Sequence, residues 1–353
     1  GLLLLLCLTQ MALATDRPTL AVLPFGVAKN RSSIRWLGQA TASTLIEKLR
    51  RVPLVRILPL SNVLRELQTA GVDPKEASWT PAVASQPLGR WLDADVLIVG
   101  GLGQAKHRSV AQQILRVSEP PQKQKDTDIW LAARAIDVHT GETLRRAYVE
   151  GKTEDLFSLQ HTLLAELGEA LDLAEIMNLA AVKRLPTQSL KAYRQGADAQ
   201  QLLMDIPDLP EGKKRKNAIK KVRKILQKAL KEDPDYAAGQ AMEGTLQILQ
   251  NNPQAAALAY EQSARLDPDY AMPRYGLVDL AFQNENLSAA AQALEEVIQA
   301  VPWDDEAHHL RGRVYNLLQD PQKALSAFER ALELYPNRPK TYYEAGKLYL
   351  AQN

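Results

Sequence analysis

Four prolines, Pro234, Pro268, Pro302 and Pro336, stand 34 residues apart each time. A fixed period of that size marks a repeated unit that cannot bury its apolar face alone and has to stack on its neighbours. Between the prolines, apolar residues recur at spacings of three and four, so each interval holds helices. Proline has no N–H to continue a helical ladder, and each one closes the second helix of its unit. The first two sit in Asp-Pro-Asp-Tyr at 233–236 and 267–270, the later two in Val-Pro-Trp-Asp and Tyr-Pro-Asn-Arg. Counting back, the small-residue position of the first helix falls at Gly244, Val278, Gly312 and Gly346. That of the second helix falls at Ala256, Ala290 and Ala324, with Tyr260, Leu294 and Phe328 four residues on. The small pair lets two antiparallel helices approach closely, and the large side chain fills the gap to the next pair.

This pattern resembles the tetratricopeptide repeat, and the resemblance covers residues 187–353. It implies a divergent first repeat over 187–236, full repeats at 237–270, 271–304 and 305–338, and a further first helix at 339–353. The divergent repeat opens at Ser189-Leu-Lys-Ala-Tyr-Arg-Gln-Gly196, and its second helix is expected over Asn217–Lys231. The resemblance also implies a concave groove lined by first-helix residues. Carried over, these are Met272, Tyr275, Asp279, Phe282 and Gln283, then Glu306, His309, Arg313 and Asn316, then Lys340, Tyr343 and Lys347. The earlier repeat adds Ala238, Ala241, Thr245 and Ile248. Aromatic, Arg and Asn side chains in such a groove suit an extended peptide or a partner helix. The Lys/Asn clamp with which some family members hold a C-terminal carboxylate is not reproduced. Groove side chains are expected to lie off the core, so that truncating Tyr275 or Arg313 would weaken binding and leave folding nearly intact.

The first half reads differently. Thr19–Phe25 is a short apolar run closed by Pro24 and Gly26, a buried strand. Ser32-Ser33 caps a helix carrying Ile34, Leu37, Thr41, Leu45 and Leu49 on one stripe. Val55–Leu58 is the next strand, and Ser61 caps a helix through Leu67. A helical turn at Leu88–Ala94 feeds the strand Asp95–Gly100, with Gly100-Gly101-Leu102-Gly103 as a bend at its end. That glycine cluster is not a dinucleotide loop, because Lys106 stands where the third glycine would have to be. Val110–Asp128 is expected as a solvated loop. Strands around Trp130–Val138 and Leu144–Gly151 form a hairpin through His139-Thr-Gly-Glu142, and a helix follows from Leu156 to Leu173. The expected fold class is thus an α/β N-terminal domain, a small mixed sheet with packed helices, followed by an all-α repeat solenoid.

The order of these pieces is similar to the domain shared by CsgG-like curli-secretion, FlgO-like flagellar and TolB amino-terminal-like proteins of the bacterial envelope. The matching residues are Ala21–Phe25, Leu37–Leu49, Val55–Pro59, Leu88–Leu102 and Ala133–Glu142. The resemblance implies docking on an envelope assembly through residues 15–178. The segment 179–186 is expected to be a linker.

Residues 2–8 read LLLLLCL, too short to span a bilayer but suited to the apolar region of a secretory signal. Ala12-Leu13-Ala14 supplies a small-x-small cleavage pattern, so residues 1–14 are expected to be a signal peptide. Leu6, ahead of the single cysteine Cys7, does not suit a lipoprotein signal. A mature chain without cysteine suits an oxidising compartment, and the expected location is the periplasm, with outer-membrane association left open.

Composition narrows the function. With 43 Lys+Arg against 41 Asp+Glu the net charge is +2, which gives no global field towards nucleic acid. One cysteine and five histidines without metal spacing call for no metal or cofactor. No nucleophile–base pairing or phosphate loop is readable, so an enzyme is not expected. The basic run from Lys213 through Lys231 reads as the solvated face of an amphipathic helix, since no aromatic residue interleaves with it. The expectation is therefore a non-enzymatic periplasmic scaffold, recruiting a protein partner through the repeats. An accessory subunit of an outer-membrane export system is the alternative. No nucleic-acid partner is expected, and peripheral membrane association stays open.

Overall fold

The computed structural model describes residues 17–27, 36–72, 86–119, 121, 126–173 and 175–352. The expected signal peptide and the Ser32-Ser33 cap lie outside them. The chain divides into two compact units, with the division between Leu185 and Pro186.

The first unit is built on one mixed sheet. Its strands are β1 (Thr19–Val22), β2 (Gly26–Val27), β3 (Arg56–Ile57), β4 (Val96–Gln104), β5 (Ile129–Asp137) and β6 (Thr143–Gly151). They run in the order β3-β1-β4-β5-β6, with β2 pairing β4 beyond the end of β1. The β3, β1 and β4 pairings are parallel, and β4, β5 and β6 form an antiparallel meander. Gly141 takes the left-handed φ of 80° in the β5–β6 turn. Helices α1 (Trp36–Arg50), α2 (Leu60–Thr69), α3 (Gln86–Trp91), α4 (Arg108–Leu115) and α5 (Leu156–Gly168) pack on this sheet. Leu97, Val99 and Ile136 meet Val63 and Leu67 of α2 and Leu88 of α3 in one apolar cluster.

Three expectations need correction here. Ser61 is inside α2, not its cap: the helix begins at Leu60 behind Pro59, whose extended backbone sets the entry. The glycines at 100, 101 and 103 are not a bend. They lie within the nine-residue β4, because Phe25 and Trp130 lay their rings over Gly100 and Gly103, where a Cβ would come within 2.5 Å. The expected loop from Val110 contains most of α4, which buries Ala111, Ile114 and Leu115 against Trp130 and Ala132. The 179–186 segment, expected as a linker, holds the division between the two units and is itself packed on the first of them. Ala180–Lys183 forms a helical turn, α6, with Val182 fully buried. Arg51, just past the end of α1, donates to the Ala181 carbonyl at 2.7 Å, and Lys48 of α1 to those of Val182 and Arg184, as cations suit a helix C-terminus.

The second unit is a run of antiparallel helix pairs. They are α7 (Leu190–Asp205) with α8 (Lys213–Glu232), α9 (Ala237–Leu249) with α10 (Pro253–Leu266), and α11 (Met272–Gln283) with α12 (Leu287–Ala300). Then come α13 (Asp305–Leu317) with α14 (Pro321–Leu334), and α15 (Pro339–Gln352). Each second helix ends two residues before its periodic proline. Ser189 caps α7 by accepting from the Ala192 amide at 3.2 Å. The basic helix starts at Lys213, four residues ahead of the expected Asn217, since Gly212 at φ 121° ends the turn before it. The small positions Ala256, Ala290 and Ala324 are fully buried, and so are Leu294 and Phe328. In the repeat at 271–304 the small-residue position is filled by buried Val278. Gly276, two residues earlier, and Gly244 both lie against the Tyr260 ring, where a Cβ would come within 2.5 Å of it. First helices neighbour one another, α7 with α9 and α9 with α11.

Candidate functional site

A cleft of about 340 Å³ opens between α13 and α15, lined by His309, Arg313, Pro339, Lys340, Tyr343 and Glu344. Its walls are fixed from the α13 N-terminus upward. Asp304 caps α13 by accepting from the Glu306 and Ala307 amides at 3.1 and 3.3 Å. Arg338, just ahead of α15, pairs with Asp305 and Glu306 and holds the two first helices in register.

The floor is His309, only 6% exposed. Its Nδ1 lies 2.8 Å from the Thr341 hydroxyl, and its ring centroid is 5.7 Å from that of Phe328. Burial, with Arg338 and Arg313 nearby, pushes its pKa down to about 4, so the floor is a neutral imidazole at neutral pH. The rim is cationic and aromatic. Arg313 is exposed and has no ion-pair partner among the described residues. Tyr343 is 65% exposed, and the Lys347 ammonium sits 4.8 Å over its ring while pairing with Glu344 at 3.1 Å. A flat aromatic wall beside two cations favours a segment carrying a carboxylate next to an apolar side chain.

Of the expected groove residues, the structure brings His309, Arg313, Lys340 and Tyr343 together here, with Lys347 behind Tyr343. It places the others apart from this cleft. Met272, Asp279 and Gln283 are exposed on or beside α11, while Glu306 is engaged by Arg338. Tyr275 and Phe282 are half-buried against the cluster of Val278, Leu294 and Val297. The expectation that truncating Tyr275 would spare folding is corrected on that ground: its ring is part of the packing. Asn316 is half-buried; Ala241 is buried, Ala238 and Ile248 are half-buried, and the Thr245 hydroxyl lies 3.2 Å from that of Tyr260. Glu344 and Pro339 were not among the expected residues. Glu344 was legible as the i+4 neighbour of Lys340 on one helix face.

The adjacent His308 is also buried and held at about pKa 4, chiefly by burial, although its ring contact with the Pro302 carbonyl opposes the shift. Both histidines have folded-state values below their ordinary 6.5. The fold therefore binds fewer protons than the unfolded chain between pH 4 and 6.5, and stability falls as pH drops through that window. The two together should cost roughly 2–4 kcal/mol by pH 4, after allowance for solvent screening. Urea unfolding at pH 7, 5.5 and 4.5 measures this, and a His308→Gln/His309→Gln variant should show a flatter profile. An equal slope in both proteins would remove the histidines from the account.

Residues 275–339 match the family described as Tetratricopeptide repeat. Among curated proteins, the chain is 26% identical over 102 residues to DnaJ homolog subfamily C member 3 of Gallus gallus, 29% of this chain and 20% of that protein. It is 25% identical over 137 residues to interferon-induced protein with tetratricopeptide repeats 2 of Cricetulus griseus, 38% of this chain and 29% of that one. The chain thus spans less than a third of either relative. Among solved structures, MamA from Desulfovibrio magneticus RS-1 is 19% identical with a TM-score of 0.37, covering 46% of this chain and 86% of that one. The class these observations define is a chain carrying tetratricopeptide repeats behind a small mixed α/β sheet. Proteins with such repeats generally serve as protein-interaction scaffolds, a role that does not call for catalysis.

Proposed function

We propose that this protein is a periplasmic scaffold that holds a segment of a protein partner in the cleft between α13 and α15. The α/β unit docks on an assembly of the bacterial envelope. One observation carries the reading: Arg313, Lys340 and Tyr343 converge, solvent-facing, over a floor that Thr341 and Phe328 hold rigid. A preorganised pocket with exposed Arg and Tyr is the setting in which a few side chains dominate binding. The apolar run at 2–8 and the Ala12-Leu13-Ala14 pattern support the location, and the envelope-type motifs of the first half support the docking role.

Arg313→Ala and Tyr343→Ala should each weaken partner capture by about 1–3 kcal/mol. Both side chains are largely exposed, so the melting temperature should hold within a degree or two. The test immobilises wild type and both variants and compares what each retains from an envelope extract. Equal retention by all three proteins would place the binding surface elsewhere.

A further inference from the structure

Helix α8 carries ten lysines and arginines against the single Glu232, a net +9 on a chain whose total is +2, leaving −7 for everything else. The second helices of the other pairs are close to neutral: α10 and α14 balance, and α12 carries only two glutamates. The repeat packing does not require this charge. Its apolar stripe, Val222, Leu226 and Ala229, is already buried as in the other second helices.

The charge also works against the helix that bears it. Lys213, Lys214 and Lys216 crowd the N-terminal turn, where the helix dipole disfavours cations. Lys216, Lys220, Lys224 and Lys228 follow one another at i+4, where like charges repel. None of the helix's ten cations has an ion-pair partner among the described residues; Glu232 is taken by Lys191 at 2.6 Å. Lys213, Lys216, Lys220, Lys224, Lys228 and Lys231 are all exposed, and their spacings of three and four make one strip about 27 Å long.

We propose that this strip is a docking surface for an anionic lipid bilayer. Eight of the ten cations are lysines, compact charges suited to a diffuse field, whereas arginine's fork suits phosphodiester and base recognition. No aromatic residue lies between Ile206 and Asp235 on which a base could stack. The apolar face of α8 is spent inside the repeats, so the helix lies on the surface by charge alone. Each lysine near an anionic leaflet adds attraction that is additive and screened by salt. This surface is independent of the cleft between α13 and α15.

The experiment is co-sedimentation of the full chain with vesicles of phosphatidylcholine containing about one-third phosphatidylglycerol, and with vesicles of phosphatidylcholine alone. Binding is expected to the anionic vesicles at about 50 mM salt, with release at about 500 mM. The variant Lys213→Gln/Lys216→Gln/Lys220→Gln/Lys224→Gln should partition on the order of 1,000-fold more weakly. Its melting temperature should equal or exceed that of the wild type, because like-charge repulsion has been removed. Failure of the wild type to bind, equal binding to neutral vesicles, or undiminished binding by the variant would each overturn the proposal. So would displacement of the protein from the vesicles by duplex DNA at matched anionic charge, which would make nucleic acid the preferred partner.

Discussion

Phe328→Ala is expected to cost the repeat unit about 3–5 kcal/mol, the usual range for removing a fully enclosed ring. Phe328 has no exposed surface and packs with Ala324, Leu325 and Ala345, with Tyr315 and Leu348 at the edge. One side of its ring lies on Gly312 and another meets His309 at a centroid distance of 5.7 Å. The space left behind cannot close, because Arg338 and the Asp304 cap fix α13 and α15 on either side. Gly312→Leu attacks the same joint from the opposite direction. Even its Cβ would stand 2.5 Å from ring carbons of Phe328, so α13 and α14 would have to part, a strain of about 1–3 kcal/mol. The two changes share one space and should therefore not add. Gly312→Ala combined with Phe328→Ala should cost less than the sum of the singles, since the methyl enters the vacated volume. Denaturant unfolding of the four proteins measures the coupling. Strict additivity would mean that the ring does not rest on the glycine.

The repeat half was legible because its signals are local. Proline closes a helix from its own lack of an N–H, and the 34-residue period places every pair without reference to distant contacts. The sheet was legible in the places of its main strands and in turn chemistry, where Gly141 serves a positive φ that the sequence marks directly. The glycines misled for a non-local reason. Gly100 and Gly103 look like breakers in isolation, yet they are strand residues because rings from Phe25 and Trp130 need the room. That requirement comes from partners 75 and 27 residues away in the chain. Helix α4 was hidden differently: Val110, Ala111, Ile114 and Leu115 do repeat at helical spacing, but the polar stretch after them dominates the reading. In the cleft, position along the repeat was readable and depth was not. His309 sinks to the floor because Thr341 of the following helix and Phe328 of its own pair enclose it. Arg313 and Tyr343 stay at the rim. The charge of α8 was plain in the sequence; that its cations find no ion-pair partner among the described residues is a property of the fold.

Trp130→Ala should be the most damaging single truncation in the α/β unit, at about 3–5 kcal/mol. Trp130 is fully buried beneath α4, against Ala111, Ile114 and Leu115, so its loss empties the space that holds this helix to the sheet. Its indole N–H donates to the Gln104 carbonyl at 2.9 Å, and truncation leaves that acceptor without its donor. Trp130→Phe should keep most of the packing and cost roughly 1–2 kcal/mol, which separates the hydrogen bond from the volume. Gly103 gives the sharper test because two physical accounts predict opposite signs. If it were merely a weak residue in a strand, Gly103→Val would stabilise β4, since β-branched residues suit strands and glycine does not. The register pairs Gly103 directly with Trp130, and a Cβ at 103 would lie 2.5 Å from the indole ring. A valine there must displace the ring and with it α4, so Gly103→Val should destabilise by about 1–3 kcal/mol. Introduced into Trp130→Ala, where the ring is gone, the same valine should be neutral or stabilising. Thermal unfolding of Gly103→Val in the two backgrounds reads this reversal of sign. A valine that raises the melting temperature while Trp130 is present would show that the ring does not dictate the glycine.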